Sequence, residues 1–118
     1  LVALVVLRDE ERTRLGYVTR VSQGFEGELA LSLRLWPGTP KTLALRPQSA
    51  AFSEDPPIPA LLLLETPEDK AALILPPRTF SPSRGLRSLD AGPERKFRLT
   101  RLLQRGSDFE RVAFEETS

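Results

Sequence analysis

Alternating leucines give the clearest structural signal in the sequence. Leucine occupies every second position from Leu29 to Leu35, and small or polar residues lie between them. Period-two alternation is typical of a β-strand with one buried and one solvated face. We therefore predict a strand over 28–36 whose leucines face a core, while Trp36 lies on the solvated face.

The segment after this strand predicts an antiparallel return. The stretch 37–41 (PGTPK) has turn chemistry, and 42–46 carries Leu43 and Leu45. Because opposing residues in a hairpin share a face, Leu35 should lie across from Leu43 and Leu33 across from Leu45. The expected unit is a hairpin of 28–36 with 42–46.

Several further short apolar stretches are bounded by turn residues, and eleven Pro and seven Gly leave little room for long helices. The first stretch, 1–8, is apolar on both faces and predicts a strand buried on both sides. The predicted fold class is all-β and mainly antiparallel, a small β-barrel or sandwich built from consecutive hairpins, with at most one short helix near the C-terminus. The other predicted strands are 15–22, 60–65, 71–75 and 85–89.

Residues 95–116 allow two interpretations. As a strand, Phe97 and Leu99 face inward, and a β-bulge at 101–103 repairs the slip in the alternation. Gly106 then lies where a final hairpin would turn. As a helix, the arginines of 95–105 fall on one face, and Ser107 with Glu110 forms a capping box. We favour the hairpin.

The length of 118 residues fits a single β domain over 1–118. The stretch 47–59 is rich in proline and acidic residues and predicts a connector. The chain contains no Met and opens within an apolar run at Leu1, so we expect a fragment of a longer protein.

Composition disfavours catalysis. The absence of His and Cys removes the usual general base, thiolate nucleophiles and the commonest metal ligands. Paired carboxylates such as Glu68-Asp69 occur in turns, where solvated side chains offer neither the fixed separation nor the desolvated member that a catalytic pair needs. We expect no enzyme activity, no cofactor and no metal site.

The longest apolar run, 1–7, is far shorter than the roughly 20 residues of a membrane span. We therefore expect a soluble protein that does not enter a membrane, with the cytoplasm favoured.

The net charge of +1 conceals a basic block at 78–105 with eight basic and two acidic residues. Arginine suits phosphate and carboxylate because its planar fork donates paired hydrogen bonds. These side chains are candidate anion- or partner-binding residues, or alternatively the solvated side of a strand that the flanking acidic blocks neutralise. The candidates are Arg84, Arg87, Arg95, Lys96, Arg98, Arg101 and Arg105.

A solvent-facing Trp36 suggests contact with another surface, because aromatic residues are enriched at interface hot spots. The alternative is that another layer of the protein covers it. The function we expect is a non-catalytic binding module of a larger protein that mediates protein–protein contact. The alternative is binding of nucleic acid or a phosphorylated ligand, such as a nucleotide, through 78–105.

Overall fold

The structure, a computed structural model, describes residues 3–8, 13–37, 40–48, 56–67, 69–89 and 93–117. These residues form nine β-strands and no helix. The strands are β1 (Leu4–Arg8), β2 (Thr13–Gln23), β3 (Leu29–Leu35), β4 (Pro40–Pro47), β5 (Ile58–Leu63), β6 (Ala72–Leu75), β7 (Gly85–Ser88), β8 (Lys96–Arg105) and β9 (Glu110–Thr117).

Six strands close into an antiparallel barrel in the order β4-β5-β6-β9-β8-β7. Closure pairs every strand on both sides, so the barrel has no free edge. The chain passes from β6 to β7 through residues 76–84, here called the crossover loop. The barrel interior is filled by side chains that include Leu45, Leu62, Leu73, Leu86, Phe97, Leu99 and Val112.

A separate three-stranded sheet, ordered β1-β2-β3, lies against the barrel. One face carries Leu4, Leu15 and Tyr17, which pack with Leu63, Ile74 and Phe109 of the barrel. Gly16, on the opposite face, allows β3 to lie close, since a Cβ there would overlap the carbonyl oxygen of Arg34. The sheet is therefore held by one face and leaves the other uncovered within the described part of the chain.

The far part of the β2–β3 hairpin, residues 19–34, extends away from the rest of the molecule and is here called the arm. Every residue of the arm is exposed. Its turn begins where the Gly24 amide donates to the carbonyl oxygen of Glu28 over 2.8 Å, and Gly27 has a φ of 85°, a conformation that favours glycine. The molecule is accordingly elongated, measuring 55 × 27 × 24 Å.

The predicted fold class is confirmed: the chain is all-β and antiparallel, with a closed barrel. The favoured hairpin over 95–116 is also confirmed, since β8 pairs with β9 along its length. Register shifts between Leu99 and Arg101 and between Leu102 and Gln104 correspond to the predicted bulge. Phe97 and Leu99 face inward as expected, while Arg98 is exposed.

The predicted hairpin of 28–36 with 42–46 is wrong. β3 pairs with β2, where Val21 lies opposite Leu31, and β4 pairs with β5 and β7. The alternation located the strand correctly, but it carries no information about which neighbour supplies the hydrogen bonds. The prediction that 1–8 is buried on both faces is also wrong, because β1 is an edge strand on which Val6 and Leu7 are exposed.

Most of the predicted connector lies outside the described residues. At its two ends, Pro47 closes β4, and Ile58 and Pro59 open β5. Within the described part of the chain, no helix is long and apolar enough to cross a membrane.

Candidate interaction surfaces

Strand β8 and Arg95, which directly precedes it, carry much of the basic block, and three of these arginines face carboxylates of the neighbouring strand β9. The Arg95 guanidinium donates to both carboxylate oxygens of Glu116, with a shortest distance of 2.6 Å, and lies 5.2 Å from the centre of the Phe97 ring. Arg98 forms an ion pair with Glu115. The hydrogen bond from Arg95 lowers the pKa of the Glu116 carboxyl below its usual range. The cations of β8 are thus partly neutralised in space by the acidic block that follows them.

A buried carboxylate, Glu110, holds the crossover loop against β9. Its Oε1 accepts hydrogen bonds from the backbone amides of Thr79, at 3.1 Å, and Phe80, at 2.9 Å. Its Oε2 lies 3.4 Å from Nε of Arg105, whose own side chain is mostly exposed. The guanidinium of Arg84 also stabilises the loop, because it donates a hydrogen bond of 2.6 Å to the carbonyl oxygen of Thr79. This arrangement fixes a loop in which Arg78 and Ser83 both have positive φ.

The seven candidate cations therefore fall into three groups. The first group forms ion pairs with carboxylates and consists of Arg95, Arg98, Arg105 and Arg87. The guanidinium of Arg87 lies 3.8 Å from the Glu94 carboxylate. Arg84 bonds to a backbone carbonyl, and Lys96 and Arg101 are exposed with no ion pair among the described residues. Acidic residues therefore neutralise most of these arginines, as the alternative interpretation expected. The role of the seven residues in binding an anion or a partner stays a prediction.

Trp36 is buried, with 7% of its surface exposed, so the expectation that it faces solvent is wrong. It packs between the sheet and the barrel, where its ring centre lies 5.3 Å from that of Tyr17 and 5.4 Å from that of Phe109. The Arg111 guanidinium lies 5.9 Å from the Trp36 ring centre. The cause is that Trp36 follows β3 on the barrel side of the sheet, where a large aromatic side chain gains most from burial. Another layer does cover it, and its part in binding a second protein stays a prediction.

The uncovered face of the sheet is apolar along the arm. Register places Val21 and the β3 leucines on the same face, opposite the barrel side. Their exposed fractions are large for aliphatic side chains: Val21 53%, Leu29 69%, Leu31 58% and Leu33 37%. These four residues are here called the arm face. The same side of the sheet continues at its base with Leu7, which is exposed, Val5 and Leu35, which are half-buried, and Val18, which is buried.

The two faces of the arm differ in chemistry. Arg20 lies opposite Ser32, and Ser22 lies opposite Ala30, so the other face is polar or small. The arm face holds no charged residue. The turn at its tip carries Phe25, which is fully exposed, and the acidic residues Glu26 and Glu28. An exposed apolar surface of this kind is a candidate interaction surface, because its contact with water is unfavourable.

Sequence reasoning missed the arm face and Glu110 for identifiable reasons. The β3 leucines were interpreted as core, since alternation distinguishes two faces without showing which one is covered. The glycine-bounded turn 24–27 was the available signal that β3 returns along β2 rather than along β4. Glu110 was considered only as part of a helix cap, although a carboxylate at the start of a buried strand also indicates bonds to nearby backbone amides.

An apolar groove of about 340 Å³ lies where the sheet meets the barrel. Its walls include Leu4, Pro59, Leu61, Ile74, Pro76 and Phe109. Among the described residues, no group of three or more potential metal ligands comes together.

Comparison with known protein families matches the barrel segment of the chain. The family model described as the FimW C-terminal beta-barrel domain matches residues 43–117, which is more than half of the chain. The matched segment starts within β4 and ends at the last residue of β9, so it corresponds to the barrel, whereas the sheet β1-β2-β3 lies outside it. Neither the curated proteins nor the solved structures give a match.

Proposed function

The chain belongs to the family of FimW C-terminal β-barrel domains, and we propose that it is a non-catalytic module that binds another protein through the arm face. The family description names a C-terminal domain, which indicates a domain of a larger protein. In this proposal the closed barrel is a rigid support, and the sheet docked on it presents the binding surface.

The observation that supports the proposal is the uncovered arm face. A hairpin of two strands is at best marginally stable alone in water, and it becomes stable when its apolar face is packed. The arm keeps Leu29, Leu31 and Val21 in water, with nothing from the described residues against them. Burying such side chains stabilises a complex by about 25 cal/mol for each Å² of apolar surface removed from water.

Composition supports a binding rather than a catalytic role. The sequence provides no His or Cys, so acid–base or nucleophilic chemistry at neutral pH would depend on carboxylates, Lys, Ser, Thr or the single Tyr. The most buried carboxylate of the described residues, Glu110, already accepts two backbone hydrogen bonds and contacts Arg105. It therefore serves to hold the crossover loop.

Binding of nucleic acid or a phosphorylated ligand through 78–105 receives less support. Arg95, Arg98 and Arg105 each face a carboxylate, and an anion would have to replace that partner before it gained anything. Lys96 and Arg101 on β8 and Arg78 in the crossover loop are exposed without an ion pair among the described residues, yet three cations give a weak electrostatic surface compared with a nucleic-acid binder that makes about six to ten phosphate contacts.

The test compares two neighbouring substitutions that place the same charge on opposite faces of β3. We expect Leu31→Glu to abolish co-purification of partner protein, whether a different protein or an untagged copy of the chain produced in the same cells, because a carboxylate would be buried in the apolar contact. Ser32→Glu, on the other face, should leave recovery unchanged. Quantitative mass spectrometry of the purified complexes measures both.

The fold must be intact in both variants for the comparison to hold. Because both positions are exposed, circular dichroism and the melting temperature should match those of the unmodified chain. Equal recovery of partner by the Leu31 and Ser32 variants would contradict a role for the arm face.

A further inference from the structure

We infer that the arm face binds a second copy of this chain, so that two arms pack face to face in a two-fold symmetric dimer with the tip of each arm over the base of the other sheet. This inference rests on the proposed function and names its partner. Both the apolar character of the arm face and the distribution of charge along the sheet support this choice of partner.

Symmetry makes the absence of charge informative. In a two-fold contact the same surface meets itself, so each residue comes near residues of the identical patch. A charged patch would repel its copy, and the opposite face of the arm, with Arg20, is such a surface. The arm face, formed by Val21, Leu29, Leu31 and Leu33, has no charge to repel.

Charge at the two ends of the sheet favours one orientation. Arg14 pairs with Leu7 at the base, on the same side of the sheet as the arm face. Glu26 and Glu28 lie in the turn at the tip. No ion pair among the described residues engages Arg14, Glu26 or Glu28. When two arms pack in opposite directions, the acidic tip of each arm lies over Arg14 at the base of the other sheet. This attractive contact then occurs twice in the dimer.

The barrel does not obstruct this arrangement. The barrel packs on the side of the sheet that carries Leu15, Tyr17 and Trp36, so the arm face is exposed along its length, while Val18 at the base is buried. Two stacked sheets separated by about 10 Å, with strands within about 30° of each other, allow their aliphatic side chains to interdigitate. The exposed Phe25 at the tip would then reach the apolar base of the second copy, near Leu7.

The size of the surface predicts a reversible dimer. The eleven residues of β2 span about 37 Å at about 3.4 Å per residue, with β1 beside the first part and β3 beside the rest, so a width of two strands, about 10 Å, gives a projected contact area of roughly 370 Å² per copy. Specific stable interfaces bury about 800 Å² of accessible surface per partner, so the contact lies at the lower end of the range even after its corrugation is included. Dimerisation should therefore depend on concentration.

The experiment is sedimentation equilibrium on the full chain over about a hundredfold range of concentration. The expected result is a monomer–dimer equilibrium, which Leu31→Glu weakens at least about a hundredfold and Ser32→Glu leaves unchanged. Arg14→Glu and Glu26→Arg should each weaken the dimer about fivefold, since each creates two repulsive contacts. The double variant should restore the affinity to within about twofold.

The possible results separate this inference from the proposed function. A chain that remains monomeric throughout, or dimerises equally well with Leu31→Glu, overturns the dimer. If the chain then binds a different protein in a way that depends on Leu31, the proposed function is supported although the dimer does not form. A double charge variant as weak as the single ones overturns the tip-over-base arrangement. Dimerisation that Leu31→Glu abolishes and the charge exchange restores supports the whole inference.

Discussion

Glu110 connects β9 to the crossover loop through backbone amides of residues far apart from it in sequence. Its Oε1 accepts from Thr79 and Phe80, and its side chain is almost completely buried. A buried amide without an acceptor costs free energy because it has lost its bond to water. The carboxylate therefore determines how the chain passes from β6 to β7 and closes the barrel.

Glu110→Ala should lower the free energy of unfolding by about 3 kcal/mol, because the buried amide of Thr79 and the partly buried amide of Phe80 lose their acceptor. Glu110→Gln retains an acceptor oxygen and should lose about 1 kcal/mol. Urea unfolding followed by circular dichroism measures both. Equal losses for the two variants would show that charge, and not the amide bonds, is the important feature of this residue.

Arg95 and Glu116 provide a pH-dependent contact at the edge of the basic block. The hydrogen bond from Arg95 holds the pKa of Glu116 below its usual range. Because the folded-state pKa is lowered, the pair stabilises the fold above the unfolded-state pKa, and this contribution is lost as the pH falls through the folded value. The pair is solvent-exposed, so its effect on stability is small.

Arg95→Gln should raise the pKa of Glu116 towards its ordinary value, as measured by NMR titration of the side-chain carboxyl carbon. Arg101→Gln is the matched control, because Arg101 lies on β8, the strand that begins directly after Arg95, and has no ion pair among the described residues. A Glu116 titration that is unchanged by Arg95→Gln would contradict the pairing.

At the scale of elements, β8 and β3 show what a sequence pattern can and cannot predict. For β8, the inward Phe97, the slip after Leu99 and the turn at Gly106 are all local, so strand, bulge and hairpin were predictable. For β3, the strand itself was predictable from its leucines. The strand that pairs with β3 and the face of β3 that is covered both depend on residues elsewhere in the chain. The sequence of β3 alone therefore predicts neither of them.

The junction between sheet and barrel depends on packing that no local pattern indicates. Trp36 contacts Tyr17 from the sheet and Phe109 from the turn between β8 and β9. Trp36 is the single tryptophan of the chain, so its fluorescence reports on this junction alone.

Phe109→Ala should shift the Trp36 emission to longer wavelength and lower the free energy of unfolding by about 3 to 5 kcal/mol, because a cavity forms beside the indole. Phe114→Ala is the control: Phe114 packs edge-on against Phe97 in the barrel, 5.2 Å between ring centres. It should lower stability without moving the emission of the folded protein. An unchanged emission in Phe109→Ala would contradict the docking of the sheet.

At the scale of the whole molecule, the chain combines a closed barrel with an open sheet. The barrel belongs to the matched family segment, and its edges are fully paired. The sheet lies outside that segment and carries the arm, whose apolar side is uncovered. The sequence predicted the all-β class because short apolar strands and frequent turns are distributed along the chain. The division into barrel and arm arises from pairings between distant strands.

The most direct test of the arm face is an NMR experiment on a sample that mixes isotope-labelled and unlabelled chains, which detects only contacts between different molecules. We predict intermolecular nuclear Overhauser effects from the methyl groups of Leu31 to those of Val21 and Leu33 in the second copy, growing with protein concentration. Their absence at the highest concentration, with line widths of a monomer, would contradict the dimeric account of this surface.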